Sequence, residues 1–437
     1  MTTFTAMPKY ESYRWSGNDF FGDIPTDWNT VPLCKIAQLK SITNKANEQL
    51  LSVYLDKGVI RFDDVEEKRT NVTSLDLSKY QLVEKGDFVL NNQQAWRGSV
   101  GVSEYMGIVS PAYLVLGLSP ELNSIFANYL FRDGSMVSQY LVCSKGVGTI
   151  QRNLYWPHLR RTIVALPSLS EQTAIANFLD EKTTKIDEAI AIKEKQIELL
   201  KERKQIIIQQ AVTQGLDPTV PMKDSGVEWI GKIPAHWEIM VMKNVINDVG
   251  DVDHYMPQSI DMGIPYLMTG DLKEFVSNIN FENCKQVSYR DYLRLSKKIK
   301  TTKGDVILAR YATIGTAAYV DIENEFLVSY SCVTIKPNVE KMLGLYLFQY
   351  FKSQSFLQEI NDKVNTNTQG NVGISDLRKV KIPLPTIKEQ LEIIEFIKDK
   401  INKADGLIAL QSFQIEKLKE YKSTLINSAV TGKIKVV

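Results

Sequence analysis

Only three histidines and four cysteines occur in 437 residues. His158, His236 and His254 stand apart from one another and from the cysteines, at no spacing that would hold a metal. Cys34, Cys143, Cys284 and Cys332 follow no pairing pattern, which fits a reducing cytosol and so a cytoplasmic location. No apolar run approaches a membrane span, and the opening MTTFTAMPKYESYRW lacks the basic and apolar regions of a signal peptide. An excess of one charge is missing too: 52 basic and 51 acidic residues leave a net charge of +1, so any basic surface must be local. There is no G-x-x-x-x-G-K-[ST] to cradle a nucleotide phosphate and no G-x-S-x-G nucleophile elbow. GVGTIQRN (residues 146–153) offers only a G-x-G, and Asp63, Asp64, Asp251 and Asp253 read as solvated loop positions rather than metal ligands. No catalytic constellation and no metal site emerges.

What the chain does have is an internal repeat. LPSLSEQ…AVTQG and LPTIKEQ…AVTGK keep one register without a gap for over 40 residues. An offset of 218 carries Pro167 to Pro385, Glu171 to Glu389, Asp187 to Asp405, Leu200 to Leu418 and Ala211 to Ala429. Ser168-x-x-Glu171 and Thr386-x-x-Glu389 each fit a capping box at a helix start, and Gly215 and Gly432 suit the helix ends. Two long helices are therefore expected, over 168–215 and 386–433.

Their apolar positions recur at period 3.5. Leu179, Ile186, Leu200 and Ile207 alternate with Ile190 and Ile197 in the first, and Ile397, Leu418 and Leu425 with Ile401, Ile408 and Ile415 in the second. Each helix thus wants a coiled-coil partner. Lys193, Lys204, Gln411 and Lys422 interrupt the seam at corresponding places and can fix its register. A helix of about 43 residues is roughly 65 Å long, more than one ordinary domain covers.

The repeat extends upstream. GDIPTDW (22–28) returns as GKIPAHW (231–237), and KGDFVL (85–90) as KGDVIL (303–308). A polar arm with aromatic anchors (1–20) precedes a β-rich region (21–167) with one shorter helix over 121–141; a linker (216–230) precedes the second such region (231–385). The order is domain, long helix, domain, long helix, an α+β fold. A pseudo-twofold axis crossing the helix pair would make it antiparallel; repetition alone leaves parallel packing open.

The paired IPxxW openings (Ile24, Pro25, Trp28; Ile233, Pro234, Trp237), the KGD turns, both LPxLxEQ-type helix starts with their AVTxG endings, and the junction SGVEWIGKIPAHWE (225–238) resemble the DNA specificity subunits of type I restriction-modification systems. The resemblance runs from about 22 to 433. It implies two target recognition domains, each reading one half of a split site in double-stranded DNA, with the antiparallel helices as a ruler for the unread gap. It also implies two modification (adenine-N6 methyltransferase) subunits around the helices and restriction (translocase/nuclease) subunits beyond them. This chain would hold no cofactor; S-adenosylmethionine, ATP and Mg would belong to those partners.

Duplex DNA rises about 3.4 Å per base pair, so a helical turn of about 5.4 Å added to the ruler should shift the gap. Base readers are sought in loops rich in amides and arginine, since Asn and Gln read adenine and Arg reads guanine. In the first domain these are residues 91–99 (NNQQAWRGS) and 144–153, with Asn92, Gln94, Arg97, Lys145, Gln151, Arg152 and Asn153 as candidates. In the second they are 309–315 and 361–371, with Arg310, Tyr311, Lys363, Gln369 and Asn371. Gln151 and Gln369 occupy equivalent positions and suit loop shape or phosphate contact; Arg97, Arg152 and Arg310 differ between the repeats and, with Lys363, suit base reading. A coiled-coil scaffold that binds only proteins, and a self-sufficient nuclease or methyltransferase, are the competing expectations.

Overall fold

A computed structural model describes residues 7–55, 57–64, 76–146, 152–364 and 370–436. These form two compact units, 1–193 with 413–437 and 194–412. The division falls within both long helices, Leu169–Gln214 and Ile387–Val430, so each unit owns a globular domain and a piece of each helix.

The first unit is built on a four-stranded antiparallel sheet in the order Ala37–Lys40, Tyr113–Leu118, Phe88–Asn91, Val100–Val102. Phe88, Leu90 and Leu116 from this sheet pack with Phe126, Leu130 and Phe131 in a core that also takes Leu179, Ile186, Leu425 and Ala429 from the long helices. The helix expected over 121–141 is two, Ser124–Arg132 and Gly134–Val142. Asp133 breaks it: its extended backbone ends the first, and its carboxylate accepts from the Ser135 N–H at 2.9 Å to start the second.

The second unit has the same sheet: Ile246–Gly250, Cys332–Pro337, Val306–Ala309, Ala317–Tyr319. Its core takes Ile208, Ala211, Ile393 and Ile397 from the helices. It adds a three-stranded sheet, Lys285–Val287, Ile264–Leu267, Leu327–Val328, with cores of its own.

The shared motifs have physical reasons. Asp87 and Asp305 of the KGD turns are buried, and each accepts a lysine ammonium, from Lys40 at 2.7 Å and Lys336 at 2.6 Å. Gln172 and Gln390 are buried at the long-helix starts, where each amide bonds a backbone on both sides: Gln172 takes the Asn123 N–H at 2.9 Å, and Gln390 the Leu343 N–H at 2.8 Å. The IPxxW tryptophans bond the capping glutamates, Trp28 to Glu171 at 3.2 Å and Trp237 to Glu389 at 2.9 Å. The second start closes a full capping box, with Glu389 accepting from the Thr386 N–H and Thr386 from the Glu389 N–H. The first closes half of one: Ser168 accepts from Glu171 N–H, but the Glu171 carboxylate is taken by Tyr10 at 2.6 Å and Trp28.

In each unit the helix pieces run antiparallel. In the first, Lys193 reaches Gln414 at 2.5 Å and Lys422 reaches Asp187 at 2.6 Å; Leu179, Ile186 and Ile190 lie on the side of Leu418 and Leu425. In the second, Lys204 reaches Asp405 at 2.5 Å, the repeat-equivalent of the Lys422–Asp187 pair. Ile197, Leu200, Ile207, Ile401 and Ile408 are half-buried, Ile397 and Ile415 buried, while most of their neighbours along the helices are exposed. Lys204 and Lys422 therefore put their charges on carboxylates at the seam's edge, Lys193 puts its own on the Gln414 amide oxygen, and the apolar rows stay intact.

Candidate nucleic-acid interface

The sheet places the loops. In the first unit the strand Phe88–Asn91 delivers residues 91–99, and the paired strands Ser144–Lys145 and Asn153–Leu154 lie beside it. The Leu154 N–H donates to the Asn92 carbonyl at 3.0 Å, which joins the two. Gln94 caps a turn of 3-10 helix, Ala95–Arg97, that closes on Gly98 at φ 100°, a backbone suited to glycine. The Trp96 indole donates to the Gln93 carbonyl at 2.9 Å, which fixes the ring. The Arg97 guanidinium lies 4.6 Å and the Arg152 guanidinium 5.7 Å from that ring. Across the paired strands, the Lys145 ammonium sits 4.2 Å from the Tyr155 ring, and Lys145 pairs in register with Asn153.

Arg97, Lys145 and Asn153 are exposed; Asn92, Gln94 and Arg152 are half-buried. Asn92 Oδ1 and Arg152 Nε are buried and have no hydrogen-bond partner among the described residues. A free amide acceptor and a free guanidinium donor beside a cation-flanked indole suit a ligand with base edges and phosphates. Gln151 lies outside the described residues.

The second unit repeats the junction at equivalent positions. The Val372 N–H donates to the Arg310 carbonyl at 3.1 Å, and Tyr311 bridges Asn371. Both Tyr311 and Asn371 are half-buried. Ala312 holds a left-handed φ of 53° between them and Gly315, strain that the loop must hold by its packing.

Arg310, expected as an open base reader, is only 6% exposed. Its guanidinium bonds Asp251 at 2.5 Å and His254 at 3.2 Å, and stacks 4.7 Å from the Tyr311 ring. Asp251, expected in a solvated loop, is buried with it and also takes the Lys298 ammonium at 2.9 Å. Burial would push the Asp251 carboxyl up, but the hydrogen bond from Lys298 and the Arg310 charge outweigh it and hold the carboxyl below its ordinary value. Lys363 is half-buried and lies 3.6 Å from the buried Glu359 carboxylate one turn earlier, so its charge is partly neutralised within the domain. Gln369 lies outside the described residues. Among the described residues no group of His, Cys, Asp or Glu could hold a metal ion, and no helix is long and apolar enough to cross a membrane.

Residues 242–417 match the type I restriction modification DNA specificity domain family. The MjaVIII type I restriction enzyme specificity subunit of Methanocaldococcus jannaschii is 25% identical, with 94% of each chain covered. Two solved structures share the fold. A chain from a study of complex assembly and conformational transition in a type I R-M system superposes with a TM-score of 0.65 at 15% identity, covering 93% of this chain and 98% of that one. The HsdS subunit of Thermoanaerobacter tengcongensis superposes with a TM-score of 0.56 at 16% identity, covering 94% and 98%.

Proposed function

We propose, from the family match over residues 242–417 and the likeness to type I specificity subunits along the chain, that it is the sequence-reading subunit of a type I restriction-modification complex. The observation that carries this reading is the repeated loop junction. Leu154 with Asn92 and Val372 with Arg310 are one backbone contact made twice, on two copies of one sheet, with different side chains around each. Two reading heads of like backbone and unlike side chains are what a split site of two different halves requires.

Asn92, Gln94, Arg97, Lys145, Arg152 and Asn153 would serve the first half-site. Tyr311, Asn371 and Lys363 would serve the second, with Arg310 held by Asp251 as the base of that loop. The paired helices would set the unread gap. Exposed apolar residues on them, among them Ile192, Leu199, Leu410 and Phe413, suit docking of two methyltransferase subunits, and restriction subunits would join that assembly. The chain itself would be non-catalytic and cytoplasmic, with S-adenosylmethionine, ATP and Mg bound by its partners.

The test is selection of a random-sequence duplex library by gel shift of the full chain assembled with its methyltransferase subunits. A split motif with a constant gap is the expected product. A pool with no enriched motif would leave a protein-binding scaffold, and cleavage or methylation by the chain alone would mark an enzyme.

A further inference from the structure

The second unit also carries a basic segment, a short helix and the turn after it. Residues 285–300 hold Lys285, Arg290, Arg294, Lys297, Lys298 and Lys300 against a single acid, Asp291. The helix Tyr289–Leu295 starts at Ser288, whose hydroxyl accepts from the Asp291 N–H at 3.1 Å and donates to its carboxylate at 2.8 Å, so that acid is already engaged. Tyr292, Leu295 and Ile299 are buried against Val252, Tyr266 and Leu327. This fixes the opposite face outward. Tyr289, Arg290, Leu293, Arg294 and Lys297 line one shallow groove there, all exposed. The Arg294 guanidinium is held 4.6 Å from the Tyr255 ring, and two exposed carboxylates flank the face, Asp253 at 3.8 Å from Lys298 and Glu325, which accepts from the Tyr292 hydroxyl at 3.1 Å.

Lys298 ties this face to the recognition loop. Its ammonium and the Arg310 guanidinium share the Asp251 carboxylate, so the basic helix and the loop at 309–315 are braced on one buried acid. A charge run on a surface helix ordinarily faces solvent only; a run braced to the reading loop of its own domain has a fixed place beside whatever that loop reads.

We infer that the face formed by Arg290, Arg294 and Lys297 binds the phosphate backbone of duplex DNA next to the half-site read by the second domain. The inference rests on the DNA-reading function proposed above. The three cations supply no base information; they hold the duplex in register against the loop.

The test compares the full chain, alone and with its methyltransferase subunits, with the R290Q/R294Q/K297Q variant. The probes are a random-sequence duplex and the duplex enriched by selection. Three lost phosphate contacts should lower the slope of log affinity against log salt by about 2.7, with equal weakening on both duplexes. The R290K/R294K variant should keep the wild-type slope. The substituted side chains are exposed, and an unchanged melting temperature would confirm the fold. An unchanged slope on a wild-type background that binds DNA would overturn the inference and leave the reading function standing. Loss confined to the enriched duplex would overturn it in favour of base contact, and loss of subunit assembly with unchanged DNA binding would overturn it in favour of a protein interface. A wild-type chain that binds neither duplex would remove the reading function itself, and the inference with it.

Discussion

Trp237 donates its indole N–H to the Glu389 carboxylate at 2.9 Å, at the first turn of the second long helix. His236 reaches the same oxygen at 2.7 Å. Burial alone would raise the Glu389 pKa, but the bonds from Trp237, His236 and Thr386 outweigh it and bring it from 4.5 down to about 2. A carboxyl whose folded value is depressed stabilises the fold above its unfolded value, and that stabilisation is lost as pH falls through the folded value. The Glu389 contribution should therefore be complete above pH 4.5 and vanish toward pH 2. Glu389→Gln should lower the melting temperature at pH 7 and flatten its fall across that window. A melting profile parallel to wild type through the window would refute this role for the carboxylate.

Gly432 ends the second long helix at φ 74°, and a Cβ there would lie 2.3 Å from Pro25 Cδ. Gly226 has φ 71° and open space around it. Gly432→Ala meets both backbone strain and collision, and Gly226→Ala meets strain only. The first should cost about 2–3 kcal/mol and the second about 1 kcal/mol, by chemical denaturation. Equal costs would mean that the Pro25 contact relaxes freely.

Leu200 is half-buried in the helix seam, whereas its neighbour Leu199 is 52% exposed. Leu200→Asp puts a charge among apolar side chains and should destabilise the second unit by about 2 kcal/mol. It should also weaken assembly with partner subunits. Leu199→Asp should leave stability within about 0.5 kcal/mol of wild type. Normal stability and normal assembly of Leu200→Asp would show that the seam does not hold the helices.

Arg97 is exposed beside Trp96 in the first unit, far in sequence from the loop at 309–315. Arg97→Ala should relax selection at the first half-site only, by about 1–3 kcal/mol at one position, and leave the second half-site unchanged. Repeating the library selection with the variant reads this directly. Equal relaxation of both half-sites would show that Arg97 contacts phosphate or shapes the fold.

The long helices were legible because their information is local and periodic. Leu179, Ile186, Leu200 and Ile207 recur on one face whatever surrounds them, and the seam lysines mark their own places. The shorter helix was misread across Asp133, since a buried carboxylate capping Ser135 reads in one dimension as an ordinary polar residue. The pairing of Arg310 with Asp251 was hidden by a separation of 59 residues, and loop composition favoured exposure for both. The basic run at 290–300 was not singled out in the sequence, and its bracing to Arg310 through Lys298 could not have been.

By itself, then, the amino-acid order determined a duplication, two capped helices with an apolar seam, and the loops in which recognition should be sought. These follow from spacing along the chain, which needs no knowledge of distant neighbours. Tertiary structure alone decided that Asn92 meets Leu154, that Arg310 meets Val372, and that the Arg310 charge is neutralised in the interior while Arg97 stays open. A charge is buried or exposed according to which remote carboxylate the packing brings to it, and that is a property of the folded sheet rather than of any local pattern.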